Sequence, residues 1–286
     1  MTTIVTNVTF TPGVDFETYR ALPALNVSRL KRMGISPLHF RHAGDERTAA
    51  KSLGTAAHAA ILEPELFAAM PVYEGVRRGK DWDAFQAQHA GANILTAKEH
   101  AEAVAMAAAV ELNPAVAKLL HAKGARELTI TWDRDGRPCK GRVDLITQSG
   151  AAAHIVDLKT ARDIDPRVFG AQAYRLGYHV QAAWYHDAVA AYVARGKTEP
   201  RFHKVHYTII AIESSPPYDC IPFRVPPEII DVGRAEYEEH LARLAVCEQT
   251  GRWPGRVDGD AELELPAWAM AEDIEISEID EEDDNG

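Results

Sequence analysis

Between residues 127 and 159 apolar and polar side chains alternate in three short runs, 127–133, 139–147 and 153–159. Alternation over that length predicts strands, and the pairs Asp135-Gly136 and Ser149-Gly150 between them predict turns. Three strands joined so tightly pair with one another, which commits the middle of the chain to a sheet. The flanks carry a different pattern. Residues 1–14 read as extended, and residues 15–44 as short helical pieces punctuated by Pro23, Gly34 and Pro37. Ala49–Leu62 is helical up to the break at Pro64. A charged loop over 74–83 precedes helices over 96–112 and 114–122, the second opened by Asn113 as N-cap and Pro114 at the first helical position. Further on come a helix from Tyr178 to Ala194, strands over 203–212 and 219–224, and a long helix from Pro227 to Thr250. Strands grouped centrally between helical runs predict an α/β (α+β) fold with one mixed sheet flanked by helices.

The net charge of −11 argues against a nucleic-acid partner until its location is considered. Residues 271–286 hold nine acids and no Lys or Arg, so the rest of the chain carries only −2. A near-neutral body can still focus a local basic patch. Residues 256–286 are expected to be a disordered acidic tail, because the like charges of 271–286, with no aromatic residue among them, cannot bury a core. The three cysteines, Cys139, Cys220 and Cys247, have neither metal-site nor disulfide spacing and fit a reducing cytoplasm. No apolar run of transmembrane length is present, and the N-terminus lacks a basic-then-apolar leader, so no membrane association is expected.

The chemistry is concentrated in GRVDLITQSGAAAHIVDLKT, residues 141–160. Asp157 and Lys159, two apart on one strand, share a face, while Val156 and Leu158 face the other way. The turn between the second and third strands brings Asp144 alongside. Two carboxylates and an ammonium on one patch suit a hard divalent cation and a polarised water. The alternative is a surface ion pair worth under about 1 kcal/mol. The apolar neighbours Ile155, Val156 and Leu158 weigh against that, since unpaired charge in a central strand is costly.

Other residues gather around this pattern. Tyr178, Gln181 and Tyr185 form one stripe on their helix, polar for a core face. His58, among small residues, is either a satisfied core histidine or a neutral imidazole metal ligand. Glu127 either approaches the same cation or stays at the surface. Arg142, on the strand face of Asp144, contacts phosphate or pairs with an acid. Arg77, Arg78 and Lys80 make the 74–83 loop either a basic element near substrate or a solvated loop.

The order His58, Asp144, Asp157-Leu158-Lys159, then Gln181 with Tyr185, resembles the PD-(D/E)xK nuclease superfamily in its RecB-like branch. The segments SPLHFRH (36–42), GTAAHAAILEPELF (54–67), CKGRVDLI (139–146), VDLKTARD (156–163) and YHVQAAWYHDAV (178–189) bring it closest to the RecE-like (exonuclease VIII) group of phage and prophage exodeoxyribonucleases. The second acid is Asp157 where the superfamily name allows Asp or Glu. The resemblance implies a restriction-endonuclease-like core over 25–255, after an extended, short-helical segment 1–24. It implies Mg²⁺- or Mn²⁺-dependent digestion of linear double-stranded DNA from 5′ to 3′, leaving 3′ overhangs, in phage-type recombination. His58, Asp144, Asp157 and the Leu158 carbonyl would hold the metal, with Glu127 as a further candidate. Lys159 would serve the attacking water and the phosphate, and Gln181 and Tyr185 would steady Lys159 or the phosphates. Arg142, Tyr178, Arg77, Arg78 and Lys80 are the expected DNA contacts. A homo-oligomeric ring, with a tetramer as one form, and a RecT-like single-strand annealing partner are also implied. The competing expectations are a RecB-like nuclease on single-stranded or flap DNA and a non-catalytic DNA-binding subunit with a nuclease fold.

Overall fold

A computed structural model describes residues 4–42, 49–196 and 204–266. Strand β1 (Val5–Thr11) leads to helix α1 (Phe16–Ala21), β2 (Leu25–Asn26), α2 (Val27–Leu30), a 3₁₀ turn (Lys31–Gly34) and α3 (Pro37–Arg41). Next come α4 (Ala49–Leu62), α5 (Pro64–Ala68), β3 (Val72–Tyr73), α6 (Lys80–Gln88), β4 (Leu95–Thr96), α7 (Ala97–Leu112) and α8 (Pro114–Leu120). The central strands are β5 (Gly124–Arg134), β6 (Arg137–Ser149) and β7 (Ala152–Ala161). Helices α9 (Pro166–Arg175) and α10 (Tyr178–Ala194), strands β8 (Lys204–Glu213) and β9 (Cys220–Arg224), and α11 (Pro227–Thr250) complete the described chain.

The main sheet runs β1-β5-β6-β7-β8-β9, with β2 added beside β6. The β5–β6 and β6–β7 pairs are antiparallel and β7–β8 is parallel, so the sheet is mixed, as expected. Local chemistry sets the turns. Asp135 and Gly136 both have positive φ, 49° and 79°, the backbone a two-residue type I′ hairpin needs. The second hairpin turns on Gly150-Ala151, one residue later than the sequence implied, because Ser149 still pairs with Ala152. Helix starts follow their caps. Thr96 and Glu99 form a capping box on α7, and the Asn113 side chain accepts from the N–H groups of Ala115 and Val116 on α8.

Helices cover both faces of the sheet. On one side Ile155, Val180, Trp184 and Tyr237 join sheet to α10 and α11. On the other, Leu145, Val156, Leu158 and Ile210 pack against Ala57, Met106 and Val116 of α4, α7 and α8. Full burial of such a Leu, Ile or Val contributes about 1.5–3 kcal/mol, which fixes the alternation of β7 and hence the direction of Asp157. Lys140, also buried, ties the N-terminal segment to β6 by donating to the carbonyls of Tyr19, Arg20 and Leu22 at 2.8–2.9 Å.

The feature that positions the site is a fork. The β6–β7 ladder stops at Leu145↔Val156, whereas β7 continues along β8 to Ala161↔Glu213. Past the fork β6 pairs instead with β2, at Cys139 and Lys140. Asp144 and Asp157 stand at the point of separation.

Several expectations shift. Residues 80–83 of the anticipated loop belong to α6, and α9 had no counterpart in the sequence reading. The strand expected from His203 is seen from Lys204, His203 lying outside the described residues. Of the expected acidic tail, residues 256–266 have no regular structure and 267–286 lie outside the described residues. Among the described residues no single helix is long and apolar enough to cross a membrane; α7 and α8 pass that test only as a pair bent by 101°.

Candidate active site

In a strand, the N–H and C=O of one residue point to the same side. At Leu158 both point into the fork, where β6 no longer supplies partners. The Asp144 carboxylate accepts the Leu158 N–H at 2.7 Å, and His58 Nε2 lies 2.9 Å from the Leu158 carbonyl oxygen. The other ring nitrogen of His58 is 3.6 Å from Asp144 Oδ2. Helix α4 can deliver His58 this closely because Gly54, one turn earlier, packs on Thr160: a Cβ there would sit 3.3 Å from the threonine hydroxyl.

Asp157 is almost fully buried and shared between two partners. Lys159 Nζ forms an ion pair with Oδ2, and Gln181 Nε2 donates to Oδ1 at 2.8 Å. Lys159 also donates to the Leu158 carbonyl at 3.3 Å, and its ammonium lies 5.2 Å from the centre of the Tyr178 ring. The first turn of α10 therefore supplies two residues of the stripe, Tyr178 and Gln181, to the acid–lysine pair.

Glu127 completes a cluster. Ligand atoms of His58, Glu127 and Asp144 all lie within 4.8 Å of one another. Its backbone explains how. Glu127 has a φ of 47°, a left-handed conformation costing about 1–3 kcal/mol outside glycine. The side-chain alternation breaks at the same level: Val143 belongs to the α10 side of the core and Leu145 to the α4 side.

Burial pushes the Glu127 carboxyl up to about 7, helped by the nearby Asp144 charge and opposed by Arg142. Burial also raises Asp144 well above the carboxylate range, with Asp157 adding repulsion and Lys159 opposing it. His58 is pushed down by burial and then by Lys159, which favours the neutral imidazole. Burial works against the Lys159 ammonium, but Asp157 and Asp144 outweigh it and raise its pKa. Buried carboxylates gathered beside an imidazole and a strand carbonyl make a site that a cation completes electrostatically. The donor set, oxygen-rich with one imidazole, fits a divalent metal.

Not every anticipated site residue meets at the fork. Tyr185 is 6% exposed; its hydroxyl bonds the backbone of Arg142 and its ring fills the space over Gly141, where a Cβ would come within 2.5 Å of it. It braces β6 rather than Lys159. Gln181 likewise touches Asp157, not Lys159. Arg142 pairs with Glu127 at 2.6 Å and with the Val14 carbonyl at 2.6 Å, resolving its two readings toward the acid. Arg77 is engaged by Glu99 at 2.6 Å and by the Ile94 carbonyl at 2.7 Å, whereas Arg78 and Lys80 are exposed.

Residues 26–264 match the profile of the "PDDEXK-like domain of unknown function (DUF3799)", a stretch that contains every residue at the fork. The chain belongs to this family. Within the PDDEXK-like fold, Asp144 and the Asp157-Leu158-Lys159 triplet occupy the diverging strands, with His58 and Gln181 reaching them from opposite faces. Among solved structures, one titled a "Putative exonuclease" from Eubacterium rectale superposes with a TM-score of 0.61. It covers 92% of this chain and 100% of its own at 14% identity, so the likeness is one of fold. A Vibrio cholerae protein, 9% identical over 80% of this chain and 52% of its own with a TM-score of 0.24, carries no argument. No curated protein matches the chain.

Proposed function

We propose that the protein is a Mg²⁺- or Mn²⁺-dependent exodeoxyribonuclease acting on linear double-stranded DNA. The observation that carries the reading is the Leu158 peptide: its carbonyl faces His58 and Lys159 while its N–H anchors Asp144, with Asp157 and Gln181 behind. His58, Glu127, Asp144 and the Leu158 carbonyl would hold the metal, with Asp157 adjoining. When bound, the cation supplies Lewis-acid polarisation of a phosphate and lowers the pKa of water. Lys159, held by Asp157 and the Leu158 carbonyl, offsets charge that builds on the phosphate and orients the attacking water. Gln181 fixes Asp157 so that Lys159 keeps its direction. A purely binding protein has no need for carboxylates gathered at a phosphate site, where they repel the ligand.

The 5′-to-3′ polarity, the recombination setting in a bacterial cytoplasm, a ring-shaped homo-oligomer and a single-strand annealing partner follow from the RecE-like resemblance and are proposed on that ground. Blunt linear duplex, single-stranded DNA and closed circular duplex, each incubated with Mg²⁺, separate the readings. Digestion of linear duplex with closed circles spared is expected. Digestion of single strands alone would replace this proposal with the flap-nuclease reading.

A further inference from the structure

Lys31 is a half-buried lysine at the start of the 3₁₀ turn, with its Nζ 2.8 Å from the Leu176 carbonyl at the end of α9. Its aliphatic stem crosses Gly177, the residue that caps α10. Gly177 has a φ of 64°, and a Cβ there would come within 2.6 Å of Lys31 Cδ, so glycine both makes the turn and admits the lysine. The next residue is Tyr178, whose ring carries the Lys159 ammonium on its face at 5.2 Å. Two ammonium groups thus flank the first turn of α10.

No carboxylate among the described residues pairs directly with Lys31. Its surroundings push the ammonium down to about 8, burial first and then the charge of Lys159, with Asp157 and Glu236 opposing. A cation held near a like charge, on a neutral carbonyl, is poorly compensated in the free protein. An anion seated beside Lys31 would compensate it, Lys159 being already paired with Asp157. A capping role alone would not require that arrangement, since the Leu176 carbonyl can bond to water.

We propose that Lys31 binds a DNA backbone phosphate beside the fork, forming with Lys159 a two-ammonium seat for the polyanion. This rests on the nuclease reading above. Lys31 is a positioning and binding residue there, distinct from the groups that touch the reacting phosphate.

The test is binding of fluorescently labelled linear duplex by the full-length protein in EDTA, which prevents cleavage, from about 50 to 200 mM salt. Lys31→Met keeps the stem and removes the charge; Lys31→Arg keeps the charge and guards against loss of fold. Lys31→Met is expected to weaken binding about tenfold and to flatten the log–log salt slope by about one unit. Its Tm should hold or rise, and Lys31→Arg should retain the parental slope. A parental slope in Lys31→Met overturns the proposal whatever its Tm, because a purely structural lysine releases no counterion. If the parent protein itself fails to bind duplex, the assignment of Lys31 falls, while the nuclease reading is judged separately by digestion of linear duplex in Mg²⁺ or Mn²⁺.

Discussion

The Asp144 carboxylate accepts the backbone N–H of Leu158 at 2.7 Å, across the gap where β6 and β7 part. One side chain thereby satisfies an amide that the lost ladder leaves without a partner, and is itself fixed facing His58. Structural and chemical roles of Asp144 are therefore separable. Asp144→Asn retains an acceptor of the same shape but loses the charge. It should fold with a Tm equal to or above the parent in EDTA, while nuclease activity falls by at least about 10²–10³-fold. Asp144→Ala leaves the amide unpaired and should in addition cost about 1–3 kcal/mol, read by urea denaturation. Equal stability of the two variants would argue against the anchoring role.

Glu127 and Arg142 form a coupled pair at 2.6 Å. Replacing Arg142 with Met leaves the buried carboxylate without its partner and loosens its aim. Mn²⁺ affinity, measured by calorimetry on catalytically silent protein, should fall roughly 10–100-fold, as for other residues that orient a metal ligand. Unchanged affinity would return Arg142 to the role of a DNA contact.

Tyr185 braces β6 from beneath Gly141. Tyr185→Phe should lower stability by about 1 kcal/mol through its lost hydrogen bond and leave kcat within a few-fold of the parent. Gly141→Ala should be worse, about 1–3 kcal/mol, since the new methyl meets a fully packed ring. A large kcat loss in Tyr185→Phe with intact stability would place its hydroxyl back in the chemistry.

Away from the fork, Asp187 ties α10 to α11. Burial pushes its carboxyl up, but hydrogen bonds from Arg234, His186 and Tyr237 outweigh this and hold it well below the carboxylate range. A depressed folded-state pKa contributes stability above the unfolded pKa and loses it as pH falls through the folded value. The Tm gap between the parent and Asp187→Asn should thus be full at neutral pH and shrink as pH drops below about 4. A gap that widens in acid would contradict the pairing.

Much of this architecture was legible residue by residue. Proline and cap signals mark Asn113-Pro114 and Pro227, and turn residues mark the first hairpin. The acid–lysine pair followed from strand parity, and its family order supplied His58 and Gln181. Helix α9 is harder to read although Asp165-Pro166 caps it, because it spans only ten residues and Phe169 is its one buried side chain. Glu127 could not be assigned, since its direction depends on a left-handed backbone inside a strand. Arg142, Tyr185 and Lys31 were out of reach for a related reason. What each does depends on a partner distant in sequence: Glu127 across the ladder, Gly141 under the helix, Leu176 beyond the site.

The claim that the fork is a phosphodiesterase centre is tested most directly by digestion of end-labelled linear duplex in Mg²⁺, comparing the parent protein with Asp157→Asn. The parent should release label from one strand in a metal-dependent way, and Asp157→Asn, which keeps its bond to Gln181 but loses the ion pair with Lys159, should be slower by at least about 10²-fold. Equal digestion by the two proteins, or none by the parent in either Mg²⁺ or Mn²⁺, would contradict it.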